Sequence, residues 1–314
     1  MKKIAVIVIT YRRPQGLKKL LLALAKQKFT NSEKIPQVNV IVVDNDKEPT
    51  ASIVVKDFVA QYSLAVNYIH ETRQGIPVAR NTGMAAVPED FDFFCFIDDD
   101  EWPEEDWLQA LLTTQIINNA DCVLGAVIPV YPENAPSWIV KSRIFDSWRF
   151  ADNARLTEAA SNNVLVSNKF IRHHHHQFDE RMRMTGGSDY LFFKQANSLG
   201  MRIYWSDKAP VFEDVPLTRM NSKWLIQRQF RLGNTFAVSE RLAGTKIGLV
   251  LLGAKGLSRV VLGILMLPSL IFSKYHGVKG LRHILRGAGI IGGIFGHAHQ
   301  EYATKSLLKE RVAK

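Results

Sequence analysis

The sequence predicts an α/β fold with a mostly parallel central sheet and helices on both faces, and three observations predict it. Apolar runs dense in Val, Ile and Phe lie at residues 3–9, 39–43, 65–69 and 92–97 without polar alternation, as strands buried on both faces do. Helix-like segments separate them (Pro14–Lys28, Thr50–Gln61 and Gly75–Val87), giving the alternation of βαβ units. Polar residues follow three of these runs: TYRR (Thr10–Arg13), DND (Asp44–Asp46) and DDDE (Asp98–Glu101). Sheets of this kind bind ligands beyond the carboxyl ends of their strands, so this edge is where chemistry is expected.

Taken in order, the first helix buries one face, because Leu17, Leu20, Leu21 and Leu24 recur at i, i+3, i+4 and i+7. A helix is predicted from Trp107 to Asn118 and a strand over Cys122–Val130. Residues 131–160, with Pro132, Pro136, Trp138 and Trp148, read as irregular. A strand at Asn162–Ser167 and a helix over Asp189–Leu199 follow. Short strands are predicted near Arg202–Trp205 and Val211–Glu213, then a helix over Asn221–Arg241. There is no internal repeat.

The 314 residues are 46% hydrophobic and 22% charged, which suits one large domain with an appendage. The division expected is a catalytic domain over 1–240 and a helical region over 241–314. Cys95 and Cys122 are too few for a disulfide framework, so a reducing, cytoplasmic setting is expected. The opening MKKIAVIVITYRRP has lysines before an apolar run, but Ile4–Ile9 is too short for a secretory signal and reads as a buried strand.

The formal charge of +10 belongs to the tail. From Thr245 to Lys314 there are eleven Lys or Arg against Glu301 and Glu310, which leaves the rest about neutral. That tail is also rich in Leu, Ile, Val and Gly. A basic apolar segment points to the inner-leaflet membrane surface rather than to nucleic acid, and no RNA-binding signature is present. The charge-free run Val260–Ser273 falls short of the roughly twenty residues a spanning helix needs. Interfacial helices are therefore expected, the alternatives being a helical layer packed on the catalytic domain or a re-entrant hairpin.

Consecutive carboxylates at the end of a buried strand repel one another unless a cation joins them. Hard ions such as Mg²⁺ or Mn²⁺ take oxygen ligands, often one or two carboxylates plus substrate phosphates. A solvated acidic helix start explains Glu104, Glu105 and Asp106 after Pro103, but it explains Asp98–Asp100 poorly because they precede the helix.

Five segments in order, VIVITYRRPQGL, VIVVDND, RQGIPVARNTG, FFCFIDDDEWPEEDWL and FDERMRMTGGSDYLFF, resemble family 2 glycosyltransferases over roughly residues 3–235. Within that family the resemblance is to bacterial exopolysaccharide enzymes of the succinoglycan type. It implies a GT-A fold, a nucleotide-sugar donor (commonly a UDP-sugar), Mg²⁺ or Mn²⁺, and inversion at the anomeric carbon. It also implies an acceptor that is a glycan or a polyprenyl-diphosphate-linked saccharide. By the resemblance Thr10, Tyr11 and Arg13 line the nucleoside pocket, Asp44 accepts from the base, and Arg80 lies near the diphosphate. In the DxD motif Asp98 lies near the ribose, Asp99 is the variable middle position and Asp100 holds the metal.

An inverting transfer also needs a base for the acceptor hydroxyl. Asp189 in GGSDY aligns with the family's base, with Ser188 where Glu is usual; the competing role is an N-cap. Arg219, Gln227, Arg228 and Arg231 are candidates for a cationic wall facing the diphosphate, unless they form a solvated helix face. QRQFR lacks the following Trp of processive relatives. Trp138 is an acceptor candidate, and Glu213 or Asp214 a further metal ligand.

His173–His176 reads as a polar loop rather than a zinc site, since zinc ligands are usually spaced. Gly287–Gly292 fits GxGxxG but follows no strand. The rival readings are a sugar-nucleotide nucleotidyltransferase, whose glycine-rich basic loop is absent after the first strand, and a non-catalytic membrane-docked scaffold.

Overall fold

The structure, a computed structural model, describes residues 1–30, 35–183, 185–244, 246–268 and 274–296. The end of the apolar run (269–273), Met184 in the FDERMRMTGGSDYLFF segment and the basic residues from Lys305 onward lie outside the described residues. The strands are β1 (Lys3–Thr10), β2 (Gln37–Asp44), β3 (Ala65–His70), β4 (Phe93–Asp98), β5 (Glu101–Pro103), β6 (Cys122–Val130), β7 (Arg155–Leu156), β8 (Val164–Ser167) and β9 (Ile203–Asp214). The helices are α1 (Pro14–Leu24), α2 (Ser52–Val59), α3 (Ile76–Ala85), α4 (Trp107–Asn118), α5 (Ser137–Ser142), α6 (Asn168–His174), α7 (Ser188–Ser198), α8 (Ser222–Ala243), α9 (Lys246–Met266) and α10 (Lys274–Ile294).

One compact unit comprises Met1–Val130, Asp146–Glu180 and Phe192–Asp214 and contains the sheet, ordered β3-β2-β1-β4-β8-β6-β9-β5, with β7 against β9. The first four strands in that order are parallel, as the alternation predicts. β8 runs antiparallel to both β4 and β6. It arrives from the irregular stretch rather than through a helical crossover, so nothing obliges it to run parallel.

Alternate residues of β1 serve opposite faces of the sheet. Ile4, Val6 and Val8 pack with Val40, Val42, Leu17, Leu20, Leu21 and Trp107, while Ala5 and Ile7 pack with Ile41, Val43, Phe94, Phe96 and Phe192. Each such side chain contributes about 1.5–3 kcal/mol by leaving water. Both faces being apolar explains the missing polar alternation.

Four expectations change here. His173 and His174 lie in helix α6, capped by Ser167 Oγ accepting from Phe170 N, rather than in a loop. The two short strands predicted around residues 202–213 are one continuous β9, with a register shift against β6 between Gly125 and Val127. Glu213 therefore belongs to the strand rather than following it. Residues 131–160, read as irregular, contain α5 and β7.

The fourth change concerns the division of the chain. The boundary expected at residue 240 falls inside α8, which continues through it. The second compact unit gathers Tyr131–Phe145, Arg181–Leu191 and the described residues from Val215 onward. Its cores are small: Ile139, Val215, Met220 and Leu225 in one, Ala237, Leu252 and Ile290 in another. α10 packs against both α8 and α9. Glycines allow the close approach, since a Cβ on Gly289 would meet Phe230 O at 2.0 Å and one on Gly287 would meet Gly256 O at 2.5 Å. α9 continues through Lys255 and Arg259, so its segment Gly248–Met266 is long and apolar enough to cross a membrane, although the charge-free run alone is not. Val250, Leu251, Leu257, Val261, Leu262, Ile264 and Leu265 on it are exposed.

Candidate active site

Parallel pairing brings the ends of β1, β2 and β4 level: Thr10 lies opposite Asp44, and Ile9 opposite Asp98. The chain then turns through Asp99 and Asp100 into β5, where Glu101 lies opposite Glu213 of β9. Four acids from one sequence run and a fifth from a distant strand thus share one corner. Gly16 lets the first turn of α1 press on that turn, because a Cβ there would sit 2.4 Å from Asp99 O.

Two arginines remote in sequence answer these acids. Arg13 Nη1 donates to Asp99 Oδ1 at 2.8 Å and to Asp100 Oδ2 at 2.9 Å. Arg80, almost wholly buried, holds its Nη2 at 3.8 Å from Asp98 Oδ1 and lies over the Phe178 ring at 5.4 Å. Asp99, the nominally variable position, is buried and also accepts from Thr10 Oγ1 at 2.7 Å. Desolvation raises its pKa, opposed by Arg13 and Thr10.

Glu101 is buried beneath the turn and accepts from Asp98 N at 3.0 Å and from Asn162 Nδ2 at 3.0 Å. Desolvation and then the neighbouring Asp98 push its pKa well up. Asp98 is raised to about 7 by desolvation, with Asp100, Asp99 and Glu213 adding to it and Arg80 opposing. A crowd of carboxylate oxygens held against their own repulsion suits a hard divalent cation. Among the described residues no three His, Cys, Asp or Glu side chains form a ready-made metal cage. The fit is therefore to an ion that completes its shell with phosphate oxygens and water, as Mg²⁺ typically does.

The other predicted residues around this edge take particular positions. Asp44 is fully buried and accepts from Ala51 N at 2.7 Å, Tyr68 OH at 3.0 Å and Asp46 N at 3.3 Å, so its carboxylate ties β2 to β3 and to the start of α2. Tyr11 is exposed, with the Arg12 guanidinium 5.1 Å from its ring centre. Arg12, at φ 56°, reaches Asp46 Oδ2 at 2.7 Å, and that hydrogen bond holds the Asp46 carboxyl below its usual range. Asn45 accepts from Gly75 N at 2.8 Å and donates to Glu71 O and Arg73 O, which fixes the loop before α3.

Asp189, Trp138, Arg228 and Arg231 belong to the second unit. α7 starts at Ser188, so Asp189 lies in the first helical turn rather than at the cap, and its Oδ1 accepts from Tyr190 N at 2.9 Å. Gly186 and Gly187 before it have φ 75° and 78°, a conformation that side chains disfavour. Gly187 O accepts from Ser239 Oγ of α8 at 3.2 Å, which anchors the start of α7. Arg228 lies over Phe145 and Trp224, 5.1 and 5.2 Å from their ring centres. Trp138 on α5 is exposed. Asp214, the alternative to Glu213, is engaged by Lys19 Nζ at 2.7 Å on the surface.

Comparison with known proteins fits this geometry. The family model described as Glycosyl transferase family 2 matches residues 5–178. The chain is 30% identical over 293 residues to the succinoglycan biosynthesis protein ExoM of Rhizobium meliloti (strain 1021), covering 92% of each. Among solved structures, the mannosyltransferase PcManGT of Pyrobaculum calidifontis, in complex with GDP-Man and Mn²⁺, superposes with TM-score 0.62 at 14% identity, over 93% of this chain and 87% of that one. S. aureus TarS 1-349 in complex with UDP-GlcNAc gives 0.53 at 17% identity, over 96% and 93%. At these identities the structures carry the fold, that of GT-A glycosyltransferases. With a family match across more than half of the chain and a relative similar along nearly all of it, the chain belongs to glycosyl transferase family 2 and is a glycosyltransferase.

Proposed function

We propose that the enzyme transfers a hexose, with inversion, from a UDP-sugar to a glycan or polyprenyl-diphosphate-linked saccharide in cell-surface polysaccharide synthesis. The observation that carries this reading is the meeting of Thr10, Arg13, Arg80, Asp98–Glu101 and Glu213 at one sheet edge. A relative named for succinoglycan biosynthesis supports the pathway class, and neighbours solved with UDP-GlcNAc and GDP-Man support the donor class.

In this mechanism the acceptor oxygen attacks the anomeric carbon while its proton passes to the Asp189 carboxylate. The bond from that carbon to the diphosphate oxygen breaks, and the nucleoside diphosphate leaves with the electron pair. Arg80 holds the diphosphate beside Asp98, and Arg13 keeps the Asp99 and Asp100 side chains aligned through its two hydrogen bonds. Tyr11 covers the nucleoside, and Asp44 organises the loop beneath the base. Asp100 and Glu213 would hold Mg²⁺ or Mn²⁺, which neutralises charge on the departing diphosphate when bound. Arg228 and Arg231 serve the diphosphate or acceptor, with Trp138 as a platform for a sugar ring. The exposed apolar face of α9 supports a peripheral position on the inner face of the membrane.

Calorimetry with UDP-sugars in the presence of Mn²⁺ tests the donor site. Wild type binds in a metal-dependent manner and Asp100→Ala loses that dependence. Equal binding with and without metal in both proteins contradicts the assignment, and pyrophosphate release from a nucleoside triphosphate would favour nucleotidyl transfer instead.

A further inference from the structure

Three helices of the second unit bring arginines together. The backbone of Arg286 on α10 lies against Gly233 of α8, and its neighbour Gly287 lies against Val260 of α9. Arg228 of α8, Arg259 of α9 and Arg282 of α10 are thereby close enough for their charges to act on Arg286. All four side chains are half-buried. Arg286 Nε is fixed by donation to Gln229 Oε1 at 2.7 Å. His283 lies in the same group, with its Nδ1 buried and without a hydrogen-bond partner among the described residues.

Nothing in the local sequence offsets this charge, since no Asp or Glu occurs between Glu240 and Glu301. Burial, and then Arg282, Arg259 and Arg228, pushes the Arg286 pKa down to about 9. Desolvation followed by Arg259, Arg282, Arg286 and Lys279 lowers that of His283. Guanidinium groups gathered at such a cost match the oxygens of a phosphate, which their planar forks contact in pairs. Exposed Leu262 stands on α9 one turn from Arg259, so an apolar chain attached to that phosphate has a surface to follow.

We propose that Arg228, Arg259, Arg282, Arg286 and His283 form a binding site for the phosphate or diphosphate group of a lipid whose chain lies along the exposed face of α9. The inference rests on reading α9 as a membrane-surface helix.

The test is co-sedimentation of the full chain with three kinds of vesicle: phosphatidylcholine alone, and phosphatidylcholine doped to equal charge with phosphatidic acid or phosphatidylglycerol. Wild type should prefer the phosphatidic acid vesicles over the phosphatidylglycerol vesicles by roughly tenfold. Arg259→Gln/Arg282→Gln should abolish that preference, while binding to phosphatidylcholine and the circular dichroism spectrum stay unchanged. Arg282→Lys, which keeps the charge and removes the fork, should weaken it. Lys223→Gln/Lys255→Gln, a matched loss of charge, should leave it intact.

Equal binding to both anionic vesicles, or equal losses in the two double variants, would overturn the site and leave the membrane reading standing. Binding to no vesicle would overturn the membrane reading itself. Calorimetric binding of inorganic pyrophosphate that is lost in Arg259→Gln/Arg282→Gln, without any vesicle preference, would assign the cluster to a soluble phosphate and overturn the lipid assignment.

Discussion

Asp99 shows how much a single position can carry beyond its motif. Buried at the turn, it is held by Thr10 Oγ1 and Arg13 Nη1, so removing either partner leaves a carboxylate oxygen unsatisfied. Thr10→Val keeps the shape and deletes one bond, and it should cost about 1–3 kcal/mol in urea denaturation. Asp98 gives a pH dependence with a definite sign. Its folded pKa of about 7 lies above the unfolded value, so its contribution to stability is complete in acid and is lost as pH rises through neutrality. Asp98→Asn escapes that loss, so its melting temperature should gain on wild type by several degrees between about pH 5 and about pH 8. Added Mn²⁺ should narrow the gap by stabilising wild type. The acids were legible in the sequence because they are contiguous. Their counter-ions were not: Arg13 was assigned to the nucleoside pocket and Arg80 to the diphosphate, and only the register of β1 against β4 and the packing of α3 on β1 and β2 bring them to Asp98–Asp100.

At the scale of elements, the first hundred residues were legible because β1, β2, β4 and α1 each bury a continuous apolar face, while β3 at the sheet edge is only partly covered. α4 and β6 begin and end where the sequence placed them. Legibility fell where partners are antiparallel or remote. Asn162 supports Glu101 because β8 pairs antiparallel with β4, and no local pattern announces that pairing. The helical start of His173–His176 was missed because polar composition concealed a capped turn. Packing of α1 against the acid turn makes a further prediction. Gly16→Ala places a Cβ against Asp99 O, so it should destabilise the protein by about 1–3 kcal/mol and raise the donor KM more than it lowers kcat. Unchanged donor KM would separate α1 from the site.

For the whole molecule, the sheet-bearing unit contains the carboxylate corner, and the second unit contains Asp189 and helices α8, α9 and α10. Composition showed where the positive charge lies, but it could not show that three arginines, one from each of three helices, act on Arg286. The central claim is inverting transfer with Asp189 as the base. The direct measurement is transfer from a UDP-sugar to a saccharide acceptor with Mn²⁺, comparing wild type with Asp189→Asn and determining the anomeric configuration of the product. The account predicts an inverted product, with Asp189→Asn slowed about 10²–10⁴-fold while still binding donor. A retained configuration, or near-normal transfer by Asp189→Asn, would contradict it.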